Sequence, residues 1–97
     1  MTMPTTVTRR KGQYVVKYDE SVRLPELLKF FREQGYICDD ENSKIGEYPL
    51  LPTNGQQVKV VIHDDNSQAQ INSISRHGRK ESSRLVEKLN DFFETKA

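Results

Sequence analysis

The residues best suited to chemistry in this chain are basic, and they fall in two runs. The segment Ser75-Arg76-His77-Gly78-Arg79-Lys80-Glu81-Ser82-Ser83-Arg84 sets Arg76, Arg79, Lys80 and Arg84 against one acid, Glu81, where a polar strand hands over to an amphipathic helix. A helix opening just after Gly78 puts Arg79 and Lys80 in its first turn, where free backbone amides already present partial positive charge. Amides, a guanidinium fork, a lysine and serine hydroxyls together suit a phosphate group, and Gly78 lets a backbone approach closely. If Ser82 is instead the N-cap, Arg76 to Lys80 form only a solvated turn.

The second run, Arg9-Arg10-Lys11-Gly12, reads as the tip of a hairpin. Basic tips of this kind enter grooves or track a phosphate backbone, although the same charges also protect a sheet edge from unwanted pairing. With both runs on one side of the sheet, Tyr14 or Tyr18 would add a stacking surface for single-stranded nucleic acid. The signatures of RNA-recognition domains, KH domains and zinc fingers are absent from the sequence.

Catalytic patterns are missing too. His63 adjoins Asp64 and Asp65, and Cys38 adjoins Asp39, Asp40 and Glu41, but neither set has metal-ligand spacing. No phosphate-binding glycine loop, nucleophile elbow or paired-carboxylate pattern occurs, so the expectation is no enzyme and no cofactor. Cys38, the single cysteine, cannot form an intrachain disulfide and reads as structural in a reducing compartment.

Charge is better described by its distribution than by its sum. The formal net charge is only +1, yet residues 1 to 18 contain Arg9, Arg10, Lys11 and Lys17 and no acid. Acids gather at Asp39, Asp40, Glu41 and Glu47 and again at Asp64 and Asp65, which predicts a bipolar molecule. Ninety-seven residues, 34% of them apolar and 30% charged, suffice for a single domain over 1–97 with a thin core. No apolar run approaches the roughly 20 residues that span a bilayer, and no secretory signal opens the chain, so a cytoplasmic location without a membrane partner is expected.

The elements that must position the basic runs follow from periodicity. Residues 1 to 4 are expected to fray, and Thr5 to Arg10 and Gln13 to Tyr18 read as strands, with Tyr14, Val16 and Tyr18 on one face. A helix over about Pro25 to Gln34 carries the stripe Leu24, Leu27, Leu28 and Phe31 and is closed by Gly35, with Tyr36 folding back onto it. Residues 38 to 56 lack any period, contain Pro49 and Pro52, and read as a long loop. Gln57 to His63 and Gln68 to Ser75 read as a second pair of strands around an Asp64-Asp65-Asn66-Ser67 turn, and a last helix buries Leu85, Val86, Leu89, Phe92 and Phe93.

The two helices echo one another. Arg23 to Glu33 returns as Arg84 to Glu94, including a paired phenylalanine in each. The fold expected is therefore α+β, two hairpin-plus-helix units (ββαββα) forming an antiparallel sheet of about four strands with both helices on one face.

Two functional classes fit these features. One is a non-catalytic, regulatory binding domain that engages DNA or RNA phosphates through Arg9, Arg10, Lys11, Arg76, Arg79, Lys80 and Arg84. The other is a protein-interaction or inhibitor module, in its simplest form a homodimer, that docks through the acidic loop 39–47 or an exposed sheet edge.

Overall fold

Alternating Thr, Val and Tyr around Gly12 build the first hairpin, β1 (Thr6–Arg10) and β2 (Gln13–Lys17), in which Arg10 opposes Gln13. The computed structural model describes residues 6–10 and 12–96, with side chains from 12 to 95. The fraying expected of residues 1 to 4, and Lys11 itself, lie outside the described residues.

Helix α1 (Leu24–Glu33) starts with Pro25 in its first turn, where a missing amide hydrogen costs little. Leu27, Phe30 and Phe31 are its buried residues. Gly35, at φ +94°, ends it by donating its amide to the Arg32 carbonyl at 3.0 Å. That turn sends Tyr36 back across the helix, its ring edge-on to Phe31 with centroids 6.5 Å apart.

The strands that follow are β3 (Tyr36–Cys38), β4 (Glu47–Pro52), β5 (Val58–His63) and β6 (Gln68–Ser73), and α2 (Gly78–Lys96) closes the described chain. All pair antiparallel in one six-stranded sheet of order β1-β2-β6-β5-β4-β3. The expectation of about four strands and a ββαββα arrangement is thus corrected. The hairpins β1–β2 and β5–β6 meet through β2 and β6 as two such units would, but the sheet is widened by β4, from within the segment 38–56 read as a loop, and by β3, which starts just before it.

Two prolines hid β4. Pro49 accepts the Asp39 amide on its carbonyl, and Thr53 donates to the Gly35 carbonyl, so odd-numbered residues of this strand bond toward β3. The amide that Pro49 lacks faces Asp39, past the end of β3, and the one that Pro52 lacks faces β5 beyond the last pair, Leu50 with Val60. Neither proline interrupts the ladder, which is the condition under which a strand tolerates proline.

Both helices lie on one face of the sheet, as expected. Val16, Ala69, Ile71, Val58, Val60, Ile62 and Leu50 point into a core with Leu27, Phe31, Leu85 and Leu89. The paired phenylalanines of the echo meet there: Phe30 and Phe92 stack with centroids 4.9 Å apart, and Phe93 continues the chain to Tyr18 at 5.3 Å. All four tyrosines and all four phenylalanines sit in this core or pack against it. The opposite face is covered by no element among the described residues. None of the described helices is long and apolar enough to cross a membrane.

Candidate functional site

Strand register brings Arg9, Arg10 and Gly12 of the first basic run to the same end of the sheet as the second. Gln13 opposes Asn72, and the Gly12 carbonyl accepts the Ser73 amide at 2.9 Å, so the β1–β2 turn lies against the exit of β6. From that exit the chain passes through Ile74, whose amide donates to the Gln57 carbonyl at 2.8 Å, and turns into α2 through Ser75, Arg76 and His77. Arg76, His77, Arg79 and Lys80 are all exposed there. Arg9 and Arg10 are placed by their backbone alone; their side chains, like Lys11, lie outside the described residues.

The acids occupy the other end. Glu47 opposes His63, which opposes Gln68, which opposes Lys17, and Asp64 and Asp65 turn the chain just beyond this row. Cys38 leads β3 toward the same end, where Asp40–Asn42 form a short 3-10 turn capped by Asp39. A shallow depression of about 390 Å³, lined by Glu20, Arg23, Asp64 and Asp65 among others, opens there. The acids read from the sequence therefore gather at one end of the strands and most of the basic runs at the other, but Lys17, read with the basic N-terminal stretch, lies at the acid end, as does Arg23.

Within the basic end, the structure separates Arg84 from its neighbours. Its guanidinium forks onto Glu81, Nε to Oε1 at 2.9 Å and Nη2 to Oε2 at 2.8 Å, and Nη1 donates to Gln34 Oε1 at 3.2 Å. Tyr36 donates its hydroxyl to Glu81 Oε2 at 2.8 Å. Arg84 thereby ties α2 to the end of α1 and to β3, and its hydrogen bonds hold the Glu81 carboxyl below its ordinary range even though burial opposes this. Burial, reinforced by the bond to Glu81, raises the Tyr36 phenol and keeps it a donor.

Gly78 is also committed. It is buried as the first residue of α2, and a Cβ there would run into the Gln57 carbonyl oxygen, the same oxygen that accepts from Ile74. The backbone that Gly78 admits is the protein's own. Gln57 holds the matching position with a left-handed φ of 62°. The alternative N-cap, Ser82, is corrected as well: it is fully buried inside the helix and bonded to Ser73 Oγ at 2.8 Å. With α2 beginning at Gly78, Arg79 and Lys80 do lie in its first turn.

Neither tyrosine offered as a stacking surface beside the basic runs stands clear of the core. Tyr18 is 6% exposed and stacked on Phe93, while Tyr14 packs against the core and shares a hydrogen bond with Ser83 Oγ at 3.1 Å. A residue missed in the sequence is Lys59, which is exposed and in register with Asn72 and so with Gln13. The alternation of Val58, Lys59 and Val60 was the signal for it, but no charge run marked it.

Elsewhere, Cys38 is partly buried with Sγ 3.4 Å from Ser43 Oγ, and His63 Nε2 lies 3.1 Å from Gln70 Oε1. Among the described residues no group of three or more His, Cys, Asp or Glu side chains is placed to hold a metal ion. Comparison with protein-family models, with curated proteins and with solved structures yields no match for this chain.

Proposed function

We propose that this chain is a non-catalytic, regulatory, cytoplasmic binding domain that engages nucleic-acid phosphates at the basic end of its sheet. The observation that supports it is the bond from the Ser73 amide to the Gly12 carbonyl, which joins the start of β2, paired with the Arg9-Arg10 end of β1, to the strand end that leads into Arg76, Arg79 and Lys80. Arg9, Arg10, Arg76, Arg79 and Lys80, drawn from two distant stretches of sequence, thus share one end of the sheet, and Asp39, Asp40, Glu41, Glu47, Asp64 and Asp65 lie toward the other. Arginines supply forked hydrogen bonds to phosphate oxygens and lysines supply point charge. Arg84 belongs to this reading as a positioning residue, since its guanidinium is engaged with Glu81 and Gln34.

Fluorescence anisotropy with short single- and double-stranded DNA and RNA tests the reading. Affinity should fall as salt rises, by a slope of about 0.7 to 0.9 per phosphate neutralised. Replacing Arg76, Arg79 and Lys80 together by Ala should weaken binding and flatten that slope. Binding that survives the triple replacement unchanged rejects the site.

A second reading has its own observation. Ile37 and Leu51 oppose one another across β3 and β4 and are 51% and 41% exposed, next to the outer edge of the sheet. An exposed apolar pair at an edge suits a protein partner or a second copy of the chain. Salt-insensitive self-association without nucleic-acid binding would favour it.

A further inference from the structure

The face of the sheet turned away from the helices is not a generic solvated surface. β6 runs through the middle of the sheet, and its side chains on this face are Gln68, Gln70 and Asn72, three amides and no charged group. Asparagine is depleted in strands, where a solvated face is better served by Thr. Across β6, Gln13 stands opposite Asn72 on one side and Lys59 on the other, and Val15 and Val61 flank Gln70. Apart from the Gln70 and His63 pair, these amides are half-exposed to solvent.

An amide presents a donor and an acceptor side by side, which is the pattern on the edge of a nucleobase. Successive amides on one face of a strand are about 7 Å apart, so each addresses a separate base. Chain geometry selects the form of nucleic acid. Six strands span roughly 24 Å, whereas the major groove of a B-form duplex is about 12 Å wide and admits a helix or a two-stranded ribbon. Bases of a single strand can splay out and reach a flat face.

We propose that this face contacts the bases of a single-stranded nucleic acid through Gln68, Gln70 and Asn72, with Val15 and Val61 against the rings, while the adjoining basic end holds its phosphates. The inference rests on the phosphate reading above and adds to it the strandedness and the base-contacting residues. Charge complementarity favours this occupant at one end of the face: Lys59 is exposed in register with Asn72 and Gln13, Gln13 opposes Arg10, and this row borders the basic end, whereas Lys17 and Glu47 lie in the row at the far end. Because every Tyr and Phe is on the helix side, bases are held by hydrogen bonds and aliphatic contact rather than by stacking.

The test is anisotropy with oligonucleotides of about twelve nucleotides, single-stranded and duplex, over a salt series, with wild type, a Gln70→Ala/Asn72→Ala variant and a Gln70→Thr/Asn72→Thr variant that preserves strand propensity. Circular dichroism confirms folding of each. The expected result is tighter binding of the single strand than the duplex, a loss of about tenfold per amide removed, and an unchanged salt slope, because phosphate contacts are untouched. Binding that ignores both amide variants, or that prefers duplex, overturns the inference while leaving the phosphate reading standing. No binding to either form even at low salt overturns both.

Discussion

Gly78 at the start of α2 rests directly on the carbonyl of Gln57, the residue that precedes β5. Replacing a helical glycine by alanine ordinarily stabilises a protein by about 0.5–1 kcal/mol. Here the new methyl would meet backbone, which cannot swing aside as a side-chain tip can. Gly78→Ala is expected to destabilise by about 1–3 kcal/mol, measured as a lower urea midpoint at constant slope. A neutral or stabilising outcome would mean that this contact is not made in solution.

Arg84 and its basic neighbours should separate in a stability assay. Arg84→Ala removes the fork onto Glu81 and leaves the carboxylate with Tyr36 alone, at an expected cost of about 1–2 kcal/mol, kept small by partial exposure. Arg79→Ala/Lys80→Ala should change stability by less than about 0.5 kcal/mol, as exposed substitutions usually do. Equal losses in the two variants would contradict the division of roles drawn between them.

The Tyr36, Glu81 and Arg84 network predicts stability that declines on both sides of neutrality. Glu81 is held below its ordinary carboxylate value of 4.5, so its contribution is complete above that value and is lost as pH falls toward the folded value. Tyr18 and Tyr36 are both raised above the ordinary tyrosine value of 10.0, chiefly by burial, so the folded state keeps protons that the unfolded state releases. Stability should therefore fall again as pH rises above 10.0. Denaturant melts across pH should show both flanks, and Glu81→Gln should flatten the acid flank while leaving the alkaline one in place.

Ser73 and Ser82 form a hydroxyl pair between the end of β6 and the first turns of α2. Either single change to Ala leaves a hydroxyl without its partner at the helix-sheet junction, with an expected loss of about 1 kcal/mol. The double change should cost less than the two singles together, which a double-mutant cycle reads as a coupling energy. Strict additivity would show that the pair is not a bond in solution.

Much of the fold was legible because local chemistry and burial agree. Pro25 and Gly35 bracket α1, and Val58, Val60 and Ile62 alternate onto one face. β4 was illegible for the opposite reason: Pro49 and Pro52 argue against a strand until the register shows that their missing amides face no partner. Ser82 misled in the same way, since a serine before a helical stripe resembles a cap and only its distance to Ser73 reveals an interior residue. The basic candidates were visible as runs, but their convergence at one end of the sheet is a property of strand order. No local pattern encodes that Gly12 and Ser73 are neighbours.

The segregation of acids and bases along the strands has a consequence for encounter with any ionic partner. A chain with a formal net charge of +1 feels almost no pull from a distant polyanion, yet charges of opposite sign separated by about 20 Å, the length of a six-residue strand, give it a substantial dipole moment. Beyond the roughly 8 Å screening length of physiological salt the partner exerts little force or torque. Inside it, the field turns the molecule before it binds, so that orientation rather than attraction is what the charge pattern contributes to association.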